Sequence, residues 1–401
     1  MAAKCDKGIR MTALQRRPDN NTLEMLRTLV GFPTVSRDPN RELIDWVEAY
    51  LAQHGIGSRI TQGSEPGKAN LFATIGAGEG GIVLSGHTDV VPIDGQKWDS
   101  APFNMVEKDG LLYGRGTCDM KGFIAVALAR LPRLIAGKRK EPVHLALSFD
   151  EEIGCKGVPH LLNDMIASGI RPRACIVGEP TSMRAVIGHK AGSVYIGTIE
   201  GYEVHSSLAP QGVNALEYAA RLICKIREIG DRLKREEKRH SGYEVPYSTL
   251  QTCVIEAGHA ANIVPALCVF RFDIRTLPWT DPAELIAEIQ AYADSELLPE
   301  MRSIAPEATI RIERKGMVPG FSIAEDAPLV RYVQRLVGSN AEPAHVTFGS
   351  EAGLFSAKDV PTIICGPGSI AQAHKPNEYV ALEQLALCED FIDRLADNDL
   401  P

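Results

Sequence analysis

A chain of 401 residues, 44% hydrophobic and 23% charged, has an ordinary globular composition. That excludes bulk disorder, and at roughly 150 residues per domain it points to two or three domains. Its 43 basic against 51 acidic side chains leave a net charge of −8, which gives no general attraction to phosphate backbones or anionic lipid, so neither nucleic acid nor a membrane surface is expected as a partner.

Nine cysteines without a C-x-x-C pair argue against a zinc ribbon and against a secreted disulfide framework. The N-terminus has no apolar leader core, and no apolar run approaches ~18 residues. Together these features predict a soluble cytoplasmic protein. Residues 1–20 read as an extension outside the fold, with either Met1 or Met11 as the native start.

Along the chain, Leu23, Leu26 and Leu29, then Leu43, Val47 and Leu51, recur with helical period, broken at Gly31-Phe-Pro33. Short, near-continuous apolar runs follow at 69–75, 81–85, 143–148 and 174–178, with a helical segment at 120–135. This is the texture of a buried, largely parallel sheet flanked by helices. Between 192 and 318 the order changes to strand (194–199), helix (214–228), two strands (249–255 and 267–275), helix (282–297) and strand (308–314). That βαββαβ order predicts a two-layer sandwich inserted into an α/β chain. The charged run 231–240 reads as a solvated helix end or loop. Helix 327–337, strand 361–365 and helix 382–396 then return to the first texture. The resulting division is a first α/β part at 1–190, an inserted domain at 191–317 and a second α/β part at 318–401.

Five segments place His, Asp or Glu at the carboxyl ends of predicted strands or in loops beside them, where open α/β sheets bind ligands. In Ser85-Gly-His-Thr-Asp, His87 and Asp89 are two apart, so in extended backbone they point the same way. One can then bind a metal while the other orients the ring. The Gly-rich run 113–122 carries Asp119 before a helix; it lacks both the G-K-[ST] ending and the G-x-G-x-x-G spacing of phosphate loops. Asp150, Glu151 and Glu152 directly follow an apolar strand and would repel one another unless a cation sits among them. Being adjacent, Glu151 and Glu152 point differently, so one can bind metal while the other handles a proton. Glu179 ends the next strand, and His374 lies in a Gly/Pro-rich loop. Singly, each segment has an ordinary reading: a surface His, an acidic turn, a capping turn, an exposed loop His. As a set, the two imidazoles of His87 and His374 with the carboxylates of Asp119, Glu152 and Glu179 suit two divalent ions such as Zn²⁺ or Co²⁺, one Asp bridging them.

These segments also carry a resemblance. GHTDVVP at 86–92, W-x4-F at 98–103, GRGTCDMKG at 114–122, DEEIG at 150–154, GEPT at 178–181 and GPGSIAQAHKPNEY at 366–379 resemble the M20 metallopeptidase-type amidohydrolases, and within them the acetylornithine deacetylases, over nearly the whole chain from about residue 22. The resemblance implies that Asp119 bridges two zincs, with Co²⁺ as a substitute, one ion also held by His87 and Glu179 and the other by Glu152 and His374. It implies that Glu151 is the general base, that Asp89 orients His87, and that His205 acts across a homodimer on the oxyanion. Asn262 and Arg275 become substrate-holding residues of a lid and dimerisation domain. The implied reaction is hydrolysis of N2-acetyl-L-ornithine to L-ornithine and acetate, in arginine biosynthesis. A desuccinylase or a general N-acyl-amino-acid hydrolase or dipeptidase of the same family is the alternative. One departure is Phe348-Gly-Ser-Glu-Ala352, where deacetylases of enteric type carry T-E-A.

Overall fold

The structure, a computed structural model, describes residues 16–401; Met1, Met11 and Cys5 lie outside the described residues. Residues 16–20, read above as part of an extension, are tied to the fold. Arg16 pairs with Asp390 at 2.5 Å, and the Asp19 backbone N–H donates to Glu389 at 3.0 Å. The eight cysteines of the described residues are unpaired, and no helix among those residues is long and apolar enough to cross a membrane.

The main sheet has nine strands. In spatial order eight of them are Ser58–Gln62, Ala69–Ile75, Val143–Ser148, Ile82–His87, Ala174–Val177, Thr362–Ile364, Val186–His189 and Phe321–Ser322, with Ala344–Val346 also pairing to Val186–His189. Ile82–His87 runs parallel to both its neighbours, and Thr362–Ile364 runs parallel to Ala174–Val177. The outer pairings on either side are antiparallel, except that Ala344–Val346 runs parallel to Val186–His189. The parallel character read from the sequence therefore belongs to the centre, where the four strands are buried throughout. Burial on both faces is why they are apolar without alternation. Successive residues still divide between two cores. Ile82, Leu84, Leu145 and Ile176 pack with helices Asn20–Gly31, Lys121–Ala129 and Leu382–Leu395. Val83, Ala146 and Cys175 pack with helix Val158–Ala167 and Phe355.

The inserted unit is a four-stranded antiparallel sheet in the order Thr249–Ala257, Leu267–Thr276, Ala191–Glu200, Thr309–Val318. Helices Ala215–Glu236 and Pro282–Tyr292 share one core with it. The first helix is longer than its apolar spacing indicates. The Asn214 side chain caps its start by accepting from Leu216 and Glu217, and its charged last turns are solvated. The 231–240 run is thus largely the end of that helix. Proline interrupts one other predicted helix: 120–135 divides at Arg130, just before Pro132, where the ring removes an N–H from the helical ladder. The helix predicted at 282–297 instead runs on to Ile304, as Pro282–Tyr292, a π-helical stretch Ala293–Leu297 and Leu298–Ile304. The three-stranded sheet of Val106–Lys108, Leu111–Tyr113 and Tyr379–Ala381 was not predicted; three-residue strands are too short to show alternation.

Phe270 sits at the centre of the inserted core, fully buried, its ring over the backbone of Gly197 on the next strand, where a Cβ would lie 2.4 Å from it. Phe270→Ala is expected to destabilise the protein by about 3–5 kcal/mol in urea unfolding. Val194→Ala, on the open face of the same sheet, should stay within about 0.5 kcal/mol.

Candidate metal centre

Three adjacent parallel strands end at the same edge of the sheet and deliver acidic or imidazole side chains there. His87 ends its own strand, Glu151 and Glu152 follow Val143–Ser148, and Glu179 follows Ala174–Val177. Asp119 arrives on the loop before helix Lys121–Ala129 and His374 on the loop after Thr362–Ile364. Gly178 makes room for Glu179, because a Cβ there would lie 2.0 Å from the Phe123 ring.

The carboxylate of Asp119 stands between the two imidazoles, Oδ1 at 3.1 Å from His87 Nε2 and Oδ2 at 3.3 Å from His374 Nε2. Glu179 lies on the His87 side, with its Oε1 3.7 Å from His87 Nε2. Glu152 lies on the other, with its Oε2 2.9 Å from His374 Nε2. Glu151 offers an oxygen to the His87–Glu179 side: ligand atoms of these three residues lie within 4.8 Å of one another. The five residues singled out from the sequence as a ligand set, together with Glu151, are therefore in one place.

Asp89 is placed differently from the expectation. The Nδ1 of His87 is 2.9 Å from the backbone carbonyl of Asp89 but 3.7 Å from its carboxylate. The carboxylate instead accepts from Ser36 Oγ at 2.7 Å and from the backbone N–H groups of Glu151 and Glu152 at 3.0 and 3.3 Å.

Sequence reasoning passed over two further carboxylates. Glu378, buried, pairs with Arg115 at 2.6 Å and accepts the N–H groups of Cys118 and Asp119 at 2.9 and 3.1 Å, which fixes the Asp119 loop. Glu351 is fully buried and accepts from Ser85 Oγ at 3.1 Å and from Ser148 Oγ. Both lie in runs noted above, but nothing in those runs shows which backbone or hydroxyl each would meet.

His205 is exposed on the inserted sheet domain, its Nδ1 2.8 Å from Ser207 Oγ. Beside it the N–H of Ser206 donates to the carbonyl of Asn262 at 2.9 Å. Arg275, half-buried near the end of its strand, pairs through Nε with Asp273 at 2.9 Å. These polar contacts are all made within the inserted domain, so the structure does not bring His205, Asn262 or Arg275 into the acidic cluster.

Burial, and then the neighbouring Asp119 charge, push the carboxyls of Glu179 and Glu152 above their usual range. Burial does the same to Glu151. Burial also acts on Asp119, but the imidazoles of His374 and His87 overcome it and hold that carboxyl low. Hydrogen bonds to Asp119 and then Glu152 lift His374 to about 10. Without a cation the cluster therefore keeps protons on groups that would otherwise coordinate. Two imidazoles and several carboxylates, with no thiolate, are a donor set that fits borderline divalent ions. Because the raised groups must lose protons to coordinate, metal binding should release protons and tighten as pH rises from 6 to 8. Calorimetric titration in buffers of different ionisation enthalpy measures that release. Gly178→Ala, which would displace Glu179, should weaken metal binding ten- to hundred-fold, read by titrating metal-stripped protein.

The profile of the peptidase family M20/M25/M40 matches residues 83–398. The acetylornithine deacetylase of Pasteurella multocida (strain Pm70) is 34% identical over 381 residues, covering 93% of this chain and 96% of the relative. That of Proteus mirabilis (strain HI4320) is 32% identical, covering 94% and 96%. Among solved structures, the M20 family metallo-carboxypeptidase Sso-CP2 of Sulfolobus solfataricus superposes with a TM-score of 0.73 at 18% identity, covering 94% of this chain and all of that one. Aminopeptidase PepT of Bacillus cereus does so with a TM-score of 0.72 at 19% identity, covering 94% and 98%. Both share the fold of a mixed sheet with a separate antiparallel sheet domain. By its sequence, this chain belongs to the peptidase family M20/M25/M40.

Proposed function

We propose that this metallohydrolase removes the acetyl group of N2-acetyl-L-ornithine, giving L-ornithine and acetate, as a step of arginine biosynthesis in the cytoplasm. The observation that carries the chemistry is Asp119 standing between His87 and His374, with Glu179 and Glu152 on opposite sides. The substrate assignment rests on the deacetylase relatives at about a third identity over nearly the whole chain.

In this reading His87 and Glu179 would hold one Zn²⁺, Glu152 and His374 would hold the other, Asp119 would serve both, and Co²⁺ could replace either. Bound there, such ions acidify water and polarise an amide carbonyl. Glu151 takes the proton of the attacking water as its oxygen bonds to the acetyl carbon. It then gives that proton to the departing amine as the C–N bond breaks, a step that needs a carboxylate within hydrogen-bond reach. Burial, which raises the affinity of Glu151 for a proton, suits both halves of the transfer. Asp89 holds the backbone of the Glu151–Glu152 turn and, through its carbonyl, the His87 ring. Residues 191–317 form the lid and dimerisation domain between catalytic parts 1–190 and 318–401. There Arg275 grips the α-carboxylate in two-pronged fashion, Asn262 holds the substrate, and His205 reaches the oxyanion across a homodimer, a donor role worth ~3 kcal/mol.

The closeness of Glu151 to His87 and Glu179 favours a second reading, in which Glu151 is itself a ligand. Glu151→Gln separates the two. As a base, its loss should lower kcat by about 10²- to 10⁴-fold with the metal content unchanged by elemental analysis, whereas a ligand's loss would cost metal in parallel. The substrate is tested by amine release from N2-acetyl-L-ornithine and N-succinyl-diaminopimelate, using stripped protein with and without added Zn²⁺. Metal-restored turnover of the acetyl compound alone is expected. Turnover of the succinyl compound alone would reassign the enzyme as a desuccinylase.

A further inference from the structure

Beside the metal centre lies a buried ion pair that none of the roles above uses. The side chains of Lys68 and Asp150 are 3% and 2% exposed, Nζ to Oδ1 at 2.6 Å, and Nζ donates a second hydrogen bond to the carbonyl of Ser36 at 2.6 Å. Asp150 immediately precedes Glu151 and has a φ of +55°, a left-handed conformation that residues other than glycine adopt at a cost.

Two residues beyond Lys68, Asn70 holds both ends of the same loop. Its amide donates to the carbonyl of Gly157 at 2.9 Å and accepts the N–H of Phe149 at 3.3 Å. The opposite side of the turn is held by the Asp89 carboxylate on the N–H groups of Glu151 and Glu152. Ser36 joins the two clamps, donating through Oγ to Asp89 while its carbonyl accepts from Lys68. A buried ion pair is a poor device for stability, since apolar residues of the same volume serve as well or better. What this one supplies is a fixed direction for the turn that carries both acids.

We propose that Lys68 is a positioning residue: through Asp150 it sets the turn that directs Glu151 toward the reacting water and Glu152 toward the metal position beside His374. The inference rests on the reading of Glu151 as base and Glu152 as ligand, and its test keeps the two separable. The variants are Lys68→Met, the double variant Lys68→Met/Asp150→Asn, and Glu151→Gln. Each is titrated with Zn²⁺ by calorimetry after metal stripping, assayed on N2-acetyl-L-ornithine at saturating Zn²⁺, and melted. Lys68→Met should lower kcat ten- to hundred-fold with KM within about twofold, and weaken one of two Zn²⁺ equivalents about tenfold while sparing the other. The double variant removes the unpaired buried charge, so it should regain thermal stability without regaining kcat or the lost metal affinity. That split separates aiming from folding, and the double variant carries the test if Lys68→Met does not fold.

Wild-type kcat and metal affinity in the double variant, or in Lys68→Met, would overturn the inference while Glu151→Gln remained inactive. Undiminished turnover in Glu151→Gln would instead overturn the base assignment. If the wild type leaves acetylornithine untouched, the Zn²⁺ titration alone decides, and two equally weakened equivalents or none would refute the role of Lys68.

Discussion

Several carboxyl groups are forced together, out of water, at one edge of a parallel sheet, and everything around them answers that repulsion. Each acid, if charged, raises the cost of charging the next. The response is visible in the directions of the shifts: Glu151, Glu152 and Glu179 are pushed up, and only Asp119, with an imidazole on each oxygen, is held down. A cluster so composed is least strained when cations replace its protons. The surrounding structure serves to keep the acids from moving apart. Glu378 with Arg115 holds the Asp119 loop, Asp89 and Lys68 hold the Glu151–Glu152 turn, and Gly178 lets Glu179 approach.

The sheet explains why these residues meet although they are far apart in the chain. Adjacent parallel strands put their carboxyl ends on one line, so segments around residues 87, 151 and 179 become neighbours through backbone pairing alone. The inserted antiparallel domain contributes nothing to that line. Its polar residues of interest, His205, Asn262 and Arg275, make their polar contacts within their own unit. The proposed mechanism therefore divides the work: proton handling belongs to the rigid sheet edge, and substrate grip to a separate unit.

What was legible in the sequence follows the strength of its local signals. Central strands such as Ile82–His87 and Val143–Ser148 were visible because burial on both faces leaves unbroken apolar runs, and the acids stood out because charge directly after such a run is costly. The βαββαβ order of the insert was visible because its elements are long. Three-residue strands, and the edge strand Ser58–Gln62 with its mixed burial, carry no such signal. Proline 132 was legible as a residue but was outweighed by apolar periodicity on both sides. At Asp89 it is the backbone carbonyl that meets the His87 ring, because the carboxylate is taken up by Ser36 and the N–H groups of Glu151 and Glu152, donors the local sequence does not show. Lys68, Glu351 and Glu378 were beyond sequence reading, because their meaning lies in partners 82, 266 and 260 residues away.

The central claim is that Asp119 joins two metal positions with Glu151 left free beside them. Crystals grown with Zn²⁺ and measured on both sides of the zinc absorption edge test it directly. The account predicts two anomalous peaks flanking the Asp119 carboxylate, one touching His87 and Glu179, the other touching Glu152 and His374, with Glu151 bonded to neither. A single peak, or a peak ligated by Glu151, would contradict it.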